Sequence, residues 1–192
     1  FGTLRYCLSL MVVFFHLSSS YPNGWSGHYA VFSFYTLSGY LMALVLDRVY
    51  LPRERGTIRF VANRLLRLYP LYWSVLALSA LFLFLVPVAD CVPKPVIVFP
   101  VHFEDYFNNI FLFGLSGNGS RLVFPAWSLD IELFYYILMA VFLARGFGIS
   151  LVWFLSSVIL TVWLVWSDTP FFFRYLAIPP ASLPFSVGAM LY

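Results

Sequence analysis

Long stretches of apolar residues without a single charged side chain constrain this sequence more than any other feature. No Asp, Glu, Lys or Arg occurs at residues 6–46, nor over the 22 residues 68–89. A helix needs about 20 such residues to cross the hydrocarbon core of a bilayer. Only 10% of the residues are charged, whereas a soluble domain has about 25%. The sequence therefore predicts an integral membrane protein in contact with a lipid bilayer, and it excludes a soluble globular domain.

The spacing of the apolar segments predicts an all-α bundle of about six transmembrane helices. Ser, Pro, Asn and Gly between residues 18 and 28 divide the first long segment into two spans. The apolar piece at 106–115 is too short to cross a bilayer alone, so it predicts a re-entrant or interfacial helix. The six predicted spans cover residues 4–17, 30–46, 68–89, 127–143, 146–167 and 177–192.

The two ends of the sequence predict a fragment of a larger membrane domain. The chain begins with Phe1 rather than Met, and its last apolar segment is still running at Tyr192. We therefore expect residues 1–192 to be one partial domain, truncated at its C-terminus. A signal peptide over residues 1–20 is the competing interpretation of the first span, with Arg5 as its basic flank.

Positive charge is concentrated in one segment and predicts the orientation. Residues 47–67 contain six Arg against Asp47 and Glu54, a net charge of +4, whereas the other residues sum to −1. Short loops rich in Arg and Lys remain on the cytoplasmic side. We therefore expect this segment and the N-terminus to be cytoplasmic and residues 90–126 to lie outside. No basic face suited to nucleic acid is present, so no nucleic-acid partner is expected.

The first predicted span carries two polar side chains on one face. Arg5 and His16 are eleven residues apart, which is three helical turns plus about 20°, or about 16 Å along the axis. Two interpretations remain open. Arg5 could anchor the helix at the headgroups while His16 ends it on the outer side. Alternatively, His16 could act as a base that faces an internal cavity, because imidazole titrates near neutral pH.

Two further arginines lie close to the predicted start of the third span. Arg64 and Arg67 are three residues apart and therefore share one helical face. Paired planar guanidinium groups bind a phosphate or diphosphate better than two Lys side chains would. The alternative is that both arginines hold lipid headgroups at the cytoplasmic surface.

The fourth predicted span opens with two carboxylates. Ser128 is placed to cap the helix, and Asp130 would then lie in the first turn, where the helix dipole favours negative charge. Glu132 lies about one turn deeper, where a carboxylate is costly unless it meets a partner or a water-filled cavity. Glu132 is therefore a candidate functional residue.

Small residues and histidines complete the set of unusual positions. Ser38 and Gly39 lie in the middle of the second predicted span, where small residues indicate close helix packing. His28 and His102 fall in predicted outer loops without the spacing of metal ligands. We therefore expect no metal and no permanently bound cofactor.

Taken together, these segments resemble the acyltransferase 3 family of multi-span membrane acyltransferases. The resemblance extends over nearly the whole chain, with Ala30 where Gly is common and Tyr35 where Phe is usual. The matching motifs, in order, are Arg5-x10-His16, Phe34-Tyr35-Thr36-Leu37-Ser38-Gly39-Tyr40-Leu41, Arg64-x-x-Arg67-Leu68-Tyr69-Pro70, Trp127-Ser128-Leu129-x-x-Glu132-x-x-Tyr135-Tyr136 and Pro184-Phe185-x-x-Gly188.

The resemblance implies a fold of about ten spans and an enzyme of the bacterial inner membrane. Such an enzyme transfers an acyl group, often acetyl, from cytoplasmic acyl-CoA to a hydroxyl of a surface glycan, a lipid-linked sugar or a small metabolite. His16 corresponds to the catalytic residue, as base or acyl carrier, while Arg5, Arg64 and Arg67 handle acyl-CoA. Glu132 or Asp130 is expected to orient the imidazole.

A transporter or receptor without covalent chemistry is the rival interpretation of the same residues. His16 and Glu132 would then form part of a proton or substrate path. A polar file along several spans would favour this interpretation, whereas the polar groups of this sequence cluster at the two ends of the spans.

Overall fold

A computed structural model describes residues 2–17, 25–85, 99–100, 102–114, 121–123, 125–143 and 146–192. These residues form helices and turns with no strand among them, which confirms the all-α prediction. The helices are α1 (Gly2–Leu17), α2 (Trp25–Val45), α3 (Gly56–Leu85), α4 (Phe103–Phe111), α5 (Ala126–Leu138), α6 (Phe147–Trp166), α7 (Phe171–Leu176) and α8 (Ser182–Met190). π-helical turns at Leu46–Tyr50 and Met139–Leu143 extend α2 and α5, and a 3₁₀ turn at Pro179–Ala181 precedes α8.

Within the described ranges, four helices are long and apolar enough to cross a membrane. Helix α1 is also apolar but shorter, and its 16 residues extend about 24 Å, less than the roughly 30 Å of a bilayer core. Outside the described residues lie residues 18–24 of the predicted turn at 18–28, residues 86–89 at the end of the third predicted span, and residues 90–98, 101, 115–120 and 124 of the predicted outer segment. The four long helices are Gly27–Tyr50, Gly56–Leu85, Ala126–Leu143 and Phe147–Trp166.

Helix α3 begins at Gly56 rather than at residue 68, where the third span was predicted to start. The prediction was wrong because it ended the helix where the apolar run ends. Arginine is a good helix former, so the segment that contains Arg59, Arg64 and Arg67 continues the helix beyond its apolar part. Arg64 and Arg67 consequently lie well inside α3 instead of at its entry.

The region of the sixth predicted span also differs from its prediction. Ala177 is extended, with φ −87° and ψ 156°, and helix α8 begins only at Ser182. Pro179 and Pro180 account for the interruption, because proline has no N–H to donate to the carbonyl four residues back and its ring clashes with that carbonyl. Over its nine residues, α8 is shorter than a transmembrane helix.

Helices α2 and α8 make the most extensive helix–helix contact of the described residues. A Cβ atom on Gly39 would lie 2.2 Å from the backbone oxygen of Phe185, and one on Gly188 would lie 2.0 Å from the backbone oxygen of Thr36. Only glycine permits such an approach. The close packing predicted at Gly39 is therefore confirmed, and its partner is the motif that contains Phe185 and Gly188.

A stack of three aromatic rings lies beside this glycine contact. Phe185 is fully buried between two tyrosines that are each only 3% exposed. The ring centroid of Phe185 is 5.0 Å from that of Tyr35 and 4.5 Å from that of Tyr135, with nearly parallel planes. The stack joins α2, α8 and α5.

Helix α4 lies over α3 and is held there by its C-terminal carbonyl groups. The last carbonyls of a helix have no partner within it, and side chains of α3 supply the missing donors. Helix α4 ends at Phe111, before the predicted end at 115, because Leu112 adopts a left-handed conformation with φ 52°. The Tyr72 hydroxyl donates to the Asn109 carbonyl at 2.5 Å, the Trp73 indole N–H to the Ile110 carbonyl at 2.9 Å, and the Tyr69 hydroxyl to the Phe111 carbonyl at 2.7 Å.

Replacing Gly188 with Ala should separate α2 from α8 and lower the free energy of unfolding by about 1–3 kcal/mol, the usual effect of overpacking. Gly148→Ala in α6 is the matched control, since a Cβ atom there meets nothing within 4 Å, and it should leave stability unchanged or raise it by up to about 1 kcal/mol. Denaturant titration of both purified variants in mixed micelles measures the difference. Equal stability of the two variants would contradict the glycine contact.

Candidate functional site

A chain of hydrogen bonds between polar side chains connects α1, α2 and α5. Arg5 Nη2 donates to Ser38 Oγ at 3.1 Å, and Ser38 Oγ donates to Glu132 Oε1 at 2.9 Å. Ser38 is 1% exposed. Its hydroxyl is therefore shielded from water and bonds to Arg5 and Glu132. Helix α1 thus contributes a side chain to the interior of the bundle, which argues against the signal-peptide interpretation of residues 1–20.

Tyr136 completes the surroundings of the Glu132 carboxylate. Its hydroxyl donates a short hydrogen bond to the same Oε1 atom, from one helical turn further along α5. The ring of Tyr136 also lies 5.9 Å from the guanidinium carbon of Arg64, and the ring of Phe60 lies 5.1 Å from it. Cation–π contacts of this kind hold a guanidinium over aromatic faces. Tyr136 therefore links the carboxylate to a second arginine.

A cavity of about 450 Å³ opens beside this network. Three of its lining residues are the predicted donor-binding arginines, and Glu132 is the one carboxylate among the described residues of the lining. These three cations and one anion sum to a formal charge of +2. Charges at membrane depth are costly unless they face a partner or a water-filled space, so this cavity is suited to an anionic ligand. The charged lining residues are Arg5, Arg64, Arg67 and Glu132.

A second cavity of about 360 Å³ adjoins the first, and no arginine is among the described residues that line it. The two cavities share four lining residues: Ser9, Phe34, Leu129 and Glu132. Val12 and Val13 of α1 line only the second cavity. They precede His16 by about one helical turn on the same side of α1. The second cavity therefore extends from the Glu132 network toward the His16 end of α1.

His16 lies in the last turn of α1 with an exposed side chain, outside the lining of both cavities. Its ring is 5.2 Å from that of Phe15, which in turn is 5.4 Å from the ring of His28. His28, predicted in a loop, lies in the first turn of α2, which begins at Trp25. The structure thus brings Arg5, Arg64, Arg67 and Glu132 together and leaves His16 at the far end of the same α1 face.

The start of α5 differs from its prediction. Helix α5 begins at Ala126, so Ser128 lies within the first turn and its hydroxyl donates to the Pro125 carbonyl at 2.8 Å instead of capping the helix. Asp130 falls beyond the first turn, and its carboxylate is buried. Burial lowers the pKa of Arg121 from its ordinary value, and the nearby charge of Asp130 opposes this shift.

Comparison with models of protein families shows which family the chain belongs to. A model of the acyltransferase domain that defines the acyltransferase 3 family matches residues 2–192. The chain belongs to the acyltransferase 3 family. Comparison with curated proteins and with solved structures gave no match. This acyltransferase is therefore an integral membrane protein, and four of the helices that carry its motifs, α1, α2, α3 and α5, line the two cavities.

The sequence did not identify every residue that the site of this acyltransferase uses. Ser38 was interpreted as a packing residue, although its hydroxyl bridges Arg5 and Glu132. The only available signal was a hydroxyl in mid-membrane, and this signal does not specify a partner 94 positions away. The spacing of four residues places Tyr136 on the helical face of Glu132, but it did not identify Tyr136 as a hydrogen-bond donor to the carboxylate.

Replacing Ser38 with Ala should destabilise the acyltransferase by about 2 kcal/mol, because a hydrogen bond to a charged group contributes about 1.5–3 kcal/mol. Ser186→Ala is the control: Ser186 is equally buried but donates only to the Leu183 carbonyl of its own helix, and its loss should cost about 1 kcal/mol or less. Unfolding in mixed micelles compares the two variants. If Ser186→Ala were the more damaging, Ser38 would not bridge the two charges.

Proposed function

We propose that this acyltransferase moves an acyl group, and specifically acetyl, from cytoplasmic acyl-CoA to a hydroxyl of a glycan, a lipid-linked sugar or a small metabolite. The observation that carries the proposal is the pair of adjoining cavities, one lined by three arginines and the other extending toward His16. A donor with phosphates at one end and a thioester at the other matches this separation of the arginines from the second cavity.

The arginine-lined cavity is the proposed site of the CoA phosphates. Arg64 and Arg67 present neighbouring guanidinium groups from one face of α3, and such groups form charge-assisted hydrogen bonds with phosphate oxygens. Arg5 reaches the same cavity from α1 and is held there through Ser38. Glu132 acts in this proposal as a positioning residue, because its carboxylate fixes Ser38 and hence Arg5.

The flexible arm of the donor would cross the second cavity toward the end of α1. Arg5 and His16 lie about 16 Å apart along the helix axis, and Val12 and Val13 line the space between their levels. A lining without arginine among its described residues suits the uncharged arm and acyl group, while the phosphates stay with the arginines. In this arrangement the thioester reaches the end of α1, where the exposed side chain of His16 can meet the acceptor.

The proposed chemistry balances without a metal or a redox partner. His16 accepts the proton of the acceptor hydroxyl, and the hydroxyl oxygen attacks the thioester carbonyl carbon. The new C–O ester bond forms, the C–S bond breaks, and the CoA thiolate takes the proton from the imidazolium. In a second version, a ring nitrogen of His16 attacks the thioester carbonyl carbon, the C–S bond breaks and CoA leaves as the thiol, taking the proton of the imidazole. The acceptor hydroxyl oxygen then attacks the acyl carbon, the C–N bond breaks, and the hydroxyl proton returns to the imidazole.

The proposed orientation follows the distribution of arginines. In this orientation residues 47–67 and the N-terminus lie on the cytoplasmic side, which the excess of positive charge there favours. Acyl-CoA would then enter from the cytoplasm at the arginine cavity, and the acceptor would meet His16 near the opposite surface. In a bacterium this membrane is the inner one.

Replacing both Arg64 and Arg67 with Lys should raise the KM for acetyl-CoA by about tenfold, because Lys keeps the charge but loses the bidentate fork. Arg59→Lys is the matched control on the same helix, since Arg59 is exposed and does not line the cavity. Transfer of radiolabelled acetyl to membrane glycan, measured over a range of acetyl-CoA concentrations, gives KM and kcat for each variant. A double variant with the KM of the wild type would favour the lipid-headgroup interpretation.

Replacing His16 with Gln should lower acetyl transfer by about 10²–10⁴, the usual contribution of general base catalysis. Gln keeps hydrogen bonding but cannot accept the proton. His102→Gln, an exposed position before α4, should keep full activity. Both variants should insert into the membrane in wild-type amounts, and the same radiolabel assay compares them.

Near-normal transfer by His16→Gln would reject the catalytic role of His16 and leave it as a residue that merely ends α1, whereas the transfer activity itself would stand. Absence of transfer by the wild-type protein, together with uptake of labelled substrate into vesicles, would favour the transporter interpretation instead.

A further inference from the structure

Glu132 uses only one of its carboxylate oxygens for contacts within the described residues. The hydroxyls of Ser38 and Tyr136 both donate to Oε1. The other oxygen, Oε2, accepts no hydrogen bond from the described residues, and it is not among their buried atoms that lack a partner. This second oxygen therefore has surface open to a neighbouring space, and the network that links Glu132 to Arg5 leaves it free.

The open space beside Glu132 is the junction of the two cavities. Glu132 and Ser9 are the polar residues that line both cavities, together with Phe34 and Leu129. The Ser9 hydroxyl is already engaged, since it donates to the Arg5 carbonyl at 2.9 Å in its own helix. Glu132 is the one charged residue that the described linings share. A ligand that extends from one cavity into the other must therefore pass this carboxylate.

A carboxylate is unfavourable toward the phosphates of an anionic ligand. It repels the groups that Arg64 and Arg67 would attract, and its free oxygen can accept hydrogen bonds but cannot donate them. The carboxylate is favourable toward a part of the ligand that carries N–H or O–H groups and no negative charge. The arm of acyl-CoA is such a part. It carries a hydroxyl next to the phosphates and a pair of secondary amides in its middle.

Glu132 lies where the middle of the arm would pass, between the arginines and the second cavity. An amide N–H that leaves water needs an acceptor, because a buried donor without a partner is unfavourable. We infer that a secondary amide N–H of the acyl-CoA arm donates a hydrogen bond to Glu132 Oε2. This inference rests on the proposed function, since it requires the phosphates at the arginines. Glu132 then binds the donor through Oε2 and positions Arg5 through Oε1.

The test compares two ligands that carry the same phosphates. Acetyl-CoA has the arm, whereas 3′-phosphoadenosine 5′-diphosphate ends before it, so the ratio of their dissociation constants reports on the arm alone. Glu132→Gln keeps an oxygen for Ser38 and Tyr136 but replaces Oε2 with a donor. It should weaken acetyl-CoA relative to the nucleotide by about tenfold or more, because a hydrogen bond to a charged group is lost. Binding of the nucleotide by this variant shows that it is folded.

Ser38→Ala is the matched control, because it breaks the link between Glu132 and Arg5 and leaves Oε2 in place. It should weaken both ligands by the same factor, so the ratio should stay that of the wild type. Equilibrium dialysis of the radiolabelled ligands against the proteins in mixed micelles measures the dissociation constants. An equal change of the ratio in both variants would assign the effect to Arg5 and reject the contact with the arm.

The wild-type protein provides a second test that needs no substitution. An acetyl-CoA analogue with ester oxygens in place of the amide N–H groups keeps the length and charge of the arm. It should bind about tenfold more weakly than acetyl-CoA, or more weakly still. Equal binding of the two compounds would reject the contact.

The remaining failures are distinguishable. An unchanged ratio in Glu132→Gln would reject the contact while leaving the donor site intact, as expected if water or the acceptor satisfies Oε2. Failure of the wild-type protein to bind both acetyl-CoA and the nucleotide would reject the proposed function itself.

Discussion

A carboxylate within a membrane-spanning helix must find hydrogen-bond donors, because the bilayer interior supplies none. Glu132 of α5 finds them in Ser38 of α2 and Tyr136 of its own helix. Ser38 then accepts from Arg5, so the positive and negative side chains stabilise each other through one hydroxyl. This requirement fixes the relative positions of α1, α2 and α5, and the two cavities form around the fixed groups.

The glycine contact between α2 and α8 supports the same arrangement from the other side. Gly39 follows Ser38 directly and lies against the backbone of Phe185. The close approach holds one side of α2 against α8, while the Ser38 hydroxyl reaches Glu132. The aromatic stack on Phe185 then places Tyr35 in the wall of the second cavity. Packing and polar contacts therefore position the site together, and neither could do so alone.

Local periodicity was enough to predict part of the site. The spacing of Arg5 and His16 placed both on one face of α1, and the spacing of Arg64 and Arg67 did the same on α3. Apolar segments gave the helical class of the fold. These features depend on residues a few turns apart in the chain, for which helix geometry fixes the spatial relation.

Contacts between distant helices could not be predicted in this way. The bond between Ser38 and Glu132 depends on how α2 meets α5, and no local pattern specifies that meeting. Helix ends were also difficult, because arginines extended α3 beyond its apolar part and two prolines delayed α8.

The most direct measurement of the central claim is photoaffinity labelling with an acyl-CoA that carries a diazirine in its acyl group. The label should attach to the walls of the second cavity, on the α1 segment that contains Ser9 and Val13 and the α5 segment that contains Ser128 and Glu132. Excess acetyl-CoA should prevent this labelling, and so should replacement of both Arg64 and Arg67 with Lys. Label confined to other segments, or unchanged by excess acetyl-CoA, would contradict the path from the arginines toward His16.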